Sequence, residues 1–213
     1  MFTGIVQGMA SVVSVTLTND ITRLSVAFPE RALESVQQGA SISLDGCCLT
    51  VTSFSEREAS FDLVPETIAR TTFAKVGVGS TLNFERSLKF GDEVGGHILS
   101  GHVDVVADVR DVVILQDSRV ITFRVDPAWT KYLFVKGYVA VNGASLTLTH
   151  VDAVSGECTI SLIPETLAKT NLGELSTGCR VNIEIDRSTQ AIVDTVGRVI
   201  AERGLGSATR SSN

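Results

Sequence analysis

Two short runs carry most of the reactive side chains: Gly46-Cys47-Cys48-Leu49-Thr50 and Gly143-Ala144-Ser145-Leu146-Thr147. The first presents the thiol of Cys48, a nucleophile once ionised, near a glycine that lets backbone approach a ligand. The second presents the hydroxyl of Ser145. His102, beside Gly101, offers an imidazole able to hold or release a proton near neutral pH. Lys136 and the carboxylate of Asp186 complete the set. Each also has an ordinary structural explanation. A free Cys is usually a small buried hydrophobe, a lone His a satisfied structural residue, and Lys136 and Asp186 solvated charges. Thr50 and Thr147 are good β-formers. No single residue decides.

An internal repeat changes the weighing, because two copies can be compared position by position. Ile42 to Thr52 returns as Val139 to Thr149, and Thr3 to Val6 as Ser100 to Val103, both at an offset of 97. Leu63 to Thr71 returns as Leu162 to Thr170, and Gly79 to Glu85 as Gly178 to Glu184, both at 99. At matched positions Cys48 faces Ser145, Ile5 faces His102, Gly39 faces Lys136, Ser87 faces Asp186 and Asp45 faces Asn142. The scaffold is shared while the ionisable groups are split. That pattern fits two copies that bind one kind of ligand in different roles.

The elements that must position these groups read as β. Val181 to Asp186 alternates apolar and polar, the period of a half-buried strand, and Val139 to Val141 and Leu146 to Thr149 alternate too. Asp45-Gly46 and Asn142-Gly143 are tight-turn dipeptides. Several short strands with regular turns in each copy predict a small closed barrel. The two Pro-Glu-Thr blocks predict short helices with Pro in the first turn. Ser87 to Leu99 reads as the linker. After the second copy, Ile192, Val193, Val196, Val199 and Ile200 form one apolar stripe of a helix ending near Gly204. The stripe packs either on its own chain or on copies of itself.

Composition limits the function classes. Of 213 residues 44% are hydrophobic and 20% charged, which fits a globular chain with a real core. A net charge of −6 without Lys/Arg runs argues against nucleic acid or an anionic membrane as partner. Neither a signal peptide nor an apolar run of about 18 residues is present, so a cytoplasmic protein with reduced thiols is expected. His97 and His102 are the one close His pair and lack further ligands at metal spacing, so no metal is expected. Gly95 to Gly101 matches no phosphate loop, and no Gly-x-Ser-x-Gly hydrolase signature occurs.

Met-Phe-Thr-Gly-Ile-Val at 1–6, Gly-Cys-Cys-Leu-Thr-Val-Thr at 46–52 and Gly-Gly-His-Ile-Leu-Ser-Gly-His-Val at 95–103 closely resemble the riboflavin synthase α-chain family. So do Gly-Ala-Ser-Leu-Thr at 143–147, Ile-Pro-Glu-Thr at 163–166 and Val-Asn-Ile-Glu-Ile-Asp at 181–186. The resemblance spans essentially the whole chain. It implies an all-β chain of two tandem homologous six-stranded Greek-key β-barrels plus a C-terminal α-helix. A first lumazine-binding barrel would occupy 1–97, a second 98–187, and a trimerisation helix and tail 188–213. It further implies a homotrimer and no cofactor. The implied activity is a dismutation of two 6,7-dimethyl-8-ribityllumazine molecules to riboflavin and 5-amino-6-ribitylamino-uracil. The site would lie between barrels of adjacent chains, and association with lumazine synthase is an open expectation.

Carried over by position, the first pocket would take Gly4, Ile5, Val6, Cys48, Leu49, Thr50, Asp62, Leu63, Val64, Pro65, Glu66 and Thr67. The second would take Gly101, His102, Val103, Lys136, Ser145, Leu146, Thr147, Ser161, Leu162, Ile163, Pro164, Glu165 and Thr166. His102, aided by Ser145, would draw a proton from the acidic 7-methyl group of one lumazine. Cys48, or a water, would attack C7 of the other, and Asp186 would orient groups or shuttle protons. Many family members carry Asp where this chain has Asn142; an amide takes up no proton at neutral pH, which leaves hydrogen bonding to the ring there. The rival readings are a lumazine- or flavin-holding antenna protein without catalysis, and a barrel used only for assembly. Intact motifs in both copies favour the enzyme.

Overall fold

The computed structural model describes residues 1–203, so the expected helix end near Gly204 and the rest of the tail lie outside the described residues. The first copy supplies β1 (Gly8–Thr18), β2 (Ile21–Ala27), β3 (Ser41–Leu44), β4 (Cys47–Phe54), β5 (Glu58–Leu63) and β6 (Thr81–Arg86). The second supplies β7 (Val105–Ile114), β8 (Arg119–Arg124), β9 (Tyr138–Val141), β10 (Ala144–Val151), β11 (Glu157–Leu162) and β12 (Arg180–Ile185). Each set closes into a six-stranded barrel, β1-β2-β5-β4-β3-β6 and its equivalent β7-β8-β11-β10-β9-β12, in Greek-key order. Closure leaves no unpaired strand edge.

The turns form as their residues require. Asp45 (φ 44°) and Gly46 (φ 80°) repeat the geometry of Asn142 (φ 44°) and Gly143 (φ 80°). Short polar side chains and glycine tolerate this left-handed pair, which matches strand twist in a two-residue hairpin. The Pro-Glu-Thr blocks form α1 (Pro65–Arg70) and α2 (Pro164–Lys169), with Pro in the first turn of each. Phe61, Leu24 and Ile42 fill the first barrel, and Phe123, Ile121 and Ile160 the second, all essentially inaccessible. Truncating such an aromatic to Ala costs about 3–5 kcal/mol.

The alternation in β6 and β12 means something other than a solvated polar face. Leu82, Phe84, Val181, Ile183 and Ile185 point into the barrels, yet Asn83, Glu85, Asn182 and Glu184 are also buried. Their faces meet between the barrels, where every polar group needs a partner. Asn83 donates to the Asn142 carbonyl (2.9 Å) and Asn182 to that of Asp45 (2.9 Å), a pseudo-twofold exchange. Asn142 therefore belongs to the inter-barrel core: its Oδ1 accepts from the Asn182 amide (2.8 Å) and its Nδ2 donates to Asn171 (3.3 Å).

The segments preceding each barrel cross over. Phe2 and Leu99 exchange backbone hydrogen bonds, both 2.9 Å. Beyond that bridge, Val6 enters the core of the second barrel and Val103 packs on that of the first. Glu85 anchors the first segment through Thr3 N (2.6 Å) and Gly4 N (3.0 Å), as Glu184 anchors the second through Ser100 N (2.7 Å) and Gly101 N (3.0 Å).

Helix α3 (Arg187–Glu202) starts at Asp186, whose carboxylate caps Ser188 N and Thr189 N. Val193 packs against the second barrel, while Ile192, Val196, Val199 and Ile200 stay 41–64% exposed. Within the described chain most of the stripe is uncovered. Among the described residues no helix is long and apolar enough to cross a membrane.

Candidate active site

The crossing segments decide which groups share a pocket, and they correct the expected grouping. Gly4 to Val6 line the second barrel: Ser145 N donates to the Gly4 carbonyl (2.8 Å). Gly101 to Val103 line the first, where Cys48 N donates to the Gly101 carbonyl (2.7 Å). Gly4 (φ +74°) and Gly101 (φ +78°) have to be glycines, since a Cβ would strike Ser145 or Cys48. The repeat gave the equivalence of these segments but not the barrel on which each one lies.

The second-barrel pocket is a cavity of about 320 Å³ lined by Gly4, Ile5, Val6, Ala144, Ser145, Glu165, Thr166, Lys169 and Thr170. That suits a small bicyclic ligand. Ser145 Oγ lies 2.6 Å from Nδ1 of His97, not against His102. His97 is buried, stacked on Tyr138 at 5.1 Å and 15°, and held by its own N–H to the Thr3 carbonyl (3.1 Å). Gly96 makes this approach possible, because a Cβ there would collide with the Thr3 carbonyl and Ser145. Burial lowers the His97 pKa, opposed by the nearby negative charge of Asp186. The imidazole is thus held neutral and able to accept a proton. Its Nε2 has no partner among the described residues.

In the first barrel Cys48 is half-buried and His102 exposed. His102 is tied down by its backbone: its N–H donates to Ser100 Oγ (3.2 Å) and its carbonyl accepts from Arg187 (2.7 Å). Neighbouring Cys47 differs in kind, since burial pushes its thiol up to about 12 and keeps it protonated.

The other expected residues divide by environment. Thr50, Val64, Pro65, Glu66, Lys136, Thr147, Ser161, Ile163, Pro164 and Glu165 are exposed around the two rims, with Thr67, Leu146 and Thr166 half-buried. Leu49, Leu63 and Leu162 fill barrel cores, so those segments offer a ligand only their backbone and neighbours. Asp62 is paired with Arg23 through two bonds of 2.8 and 2.9 Å. Asp186 spends its oxygens on the α3 cap, which fixes its charge near His97. The residue missed by position-matching is His97. Its counterpart would fall before residue 1, so comparing copies could not expose it, although Gly95-Gly96 before a histidine is a visible signal of close approach.

A family model for the lumazine binding domain matches twice, over residues 3–87 and 100–186. Riboflavin synthase of Escherichia coli (strain K12) is 44% identical over 95% of this chain and 95% of its own. The chain belongs to the riboflavin synthase family. Riboflavin synthase of Bacillus subtilis (strain 168) is 36% identical, covering 87% of this chain and 85% of its own. Among solved structures, LumP complexed with riboflavin superimposes with a TM-score of 0.81 at 29% identity, over 88% of this chain and all of LumP. LumP complexed with 6,7-dimethyl-8-(1'-D-ribityl) lumazine gives 0.79 at 28% over the same shares. The greater identity to the synthases places this chain among the enzymes of the family, with two lumazine-binding repeats.

Proposed function

We propose that the chain dismutates two molecules of 6,7-dimethyl-8-ribityllumazine to riboflavin and 5-amino-6-ribitylamino-uracil. The carrying observation is that matched positions of the two barrels hold unlike groups, Cys48 against the Gly101-His102 segment in one and Ser145 on His97 in the other. The lumazine in the second-barrel pocket gives up its 7-methyl proton toward Ser145 Oγ. His97, kept neutral by burial, takes up positive charge, and the fixed carboxylate of Asp186 steadies the imidazolium. The lumazine in the first-barrel pocket is attacked at C7 by the Cys48 thiol or by a water, with His102 at its rim. Holding two flat rings face to face supplies much of the rate.

In this reading each site joins the first barrel of one chain to the second of a neighbour in a trimer built on α3. The uncovered stripe of Ile192, Val196, Val199 and Ile200 supports it. The functional division then follows the repeat, over 1–97, 98–187 and an assembly segment over 188–213, with Gly4 to Val6 and Gly101 to Val103 each lent to the other barrel. Purified protein given only the lumazine should consume two molecules per riboflavin formed. Stoichiometric binding without riboflavin would favour a holding protein of the LumP kind instead.

A further inference from the structure

The segment that lies against Cys48 is held by a residue from outside the first barrel. Arg187, the first residue of α3, lays its guanidinium along Ser100 to Asp104 and bonds every second residue. Nε donates to Ser100 Oγ (3.3 Å), Nη2 to the His102 carbonyl (2.7 Å) and Nη1 to Asp104 Oδ1 (2.8 Å). Two of these acceptors are themselves fixed. Ser100 Oγ donates to buried Glu184 (2.7 Å), and Asp104 Oδ2 accepts from Ile185 N (2.8 Å). A second bond from Nη1, to Gln190 Oε1 (2.7 Å), braces the guanidinium against the first turn of the helix.

The His102 ring is exposed, and among the described residues it makes no hydrogen bond, so its backbone sets where it sits. The first copy shows which tie is special. Ile5, at the matched position, keeps the N–H bond, there to Thr3 Oγ1 (3.2 Å). Leu88 stands where Arg187 does, and among the described residues nothing donates to the Ile5 carbonyl. The guanidinium staple is present where the segment carries an imidazole and missing where it carries an apolar side chain.

We propose that Arg187 is a positioning residue, which fixes His102 beside Cys48 and so ties the first barrel's reacting groups to the first turn of α3. A rigid planar fork of N–H donors reaches three acceptors at once, which the point charge of a lysine does not. The inference rests on the reading that gives His102 a part in lumazine chemistry.

The test is a double-mutant cycle on the full-length protein. Arg187→Leu, which copies the first barrel, should lower kcat about tenfold with KM little changed. In a His102→Gln background the same change should cost less than about twofold, because a residue that acts through His102 has nothing left to position. Arg187→Lys keeps a positive charge beside Asp104 and Glu184, so it carries the cycle if Arg187→Leu fails to fold; its loss should be about threefold. Histidine-ring NMR needs no turnover. Of the three histidines, His102 is assigned by its disappearance in His102→Gln. In both Arg187 variants its signal should shift or broaden while that of His150 stays. If His102→Gln leaves turnover unchanged, the role given to His102 has failed, and the ring signal alone decides the positioning. The proposal is overturned if Arg187→Leu turns over as wild type, if the two penalties add, or if the His102 signal stays in place.

Discussion

The two barrels share one ring of strands, one hairpin geometry and one way of anchoring a glycine segment, yet they part at particular matched places. Cys48 answers Ser145, exposed Ile5 answers exposed His102, Asp45 answers Asn142, and Leu88 answers Arg187. None of these differences disturbs a barrel core. They lie in the pockets, on the inter-barrel face and at the linker, where a duplicated fold can specialise without refolding. The lesson is that the fold is held by what the copies keep, while what they do not keep is where the proposed chemistry is sought.

The sharpest way to break this contrast is to remove the proton acceptor proposed for the second pocket. Ser145→Ala and His97→Gln should each lower turnover on the order of 10²–10³-fold while changing lumazine affinity far less. Equal loss of both, measured by steady-state kinetics beside fluorescence titration, would make them binding residues. Wild-type turnover should also fall toward acid with a midpoint below the ordinary histidine range, because burial lowers the His97 pKa and the proposed role needs the neutral ring.

A smaller effect belongs to the inter-barrel face. Asp45 accepts from Asn83 N (2.8 Å) and Asn171 Nδ2 (2.9 Å), and burial raises its pKa to about 7. The folded state therefore binds this proton more tightly than the unfolded chain, and stability is lost as pH rises from about 4 through about 7. Asn142 is the natural control, an amide at the matched position. Asp45→Asn should raise the melting temperature at pH 8, by an amount corresponding to a few kcal/mol at most, and the gain should vanish near pH 4. An equal gain at both pH values would contradict the assignment.

The smallest effect separates the rims. Arg23 pairs with Asp62 on the first barrel, where the second has Val120 and Ser161 at the matched positions. The pair is exposed and screened by solvent, so Arg23→Ala should barely move the denaturant midpoint. A lumazine affinity that falls together with it would tie Asp62 to the ligand.

Much of this architecture is legible in the residues. The offsets of 97 and 99, the Asp-Gly and Asn-Gly turns, the Pro-Glu-Thr helices and the α3 stripe all stand where local pattern places them. What pattern misses is long-range. Alternation in Val181 to Ile185 is the same whether Asn182 and Glu184 face water or a second barrel. A glycine segment does not say which barrel it will line, and so Gly4 to Val6 and Gly101 to Val103 exchange places. His97 escapes because it has no counterpart in the first copy, and Asn142 changes meaning once its turn is seen packed against Gly46 between the barrels.

The central claim, unlike roles for two barrels that meet across chains, is tested most directly by complementation. Cys48→Ala and Ser145→Ala chains, each of low activity alone, are co-expressed and the mixed assemblies assayed for riboflavin formation. A site made of one chain's first barrel and a neighbour's second predicts activity well above the sum of the separate variants, because some sites then unite two intact pockets. Activity no greater than that sum would contradict it.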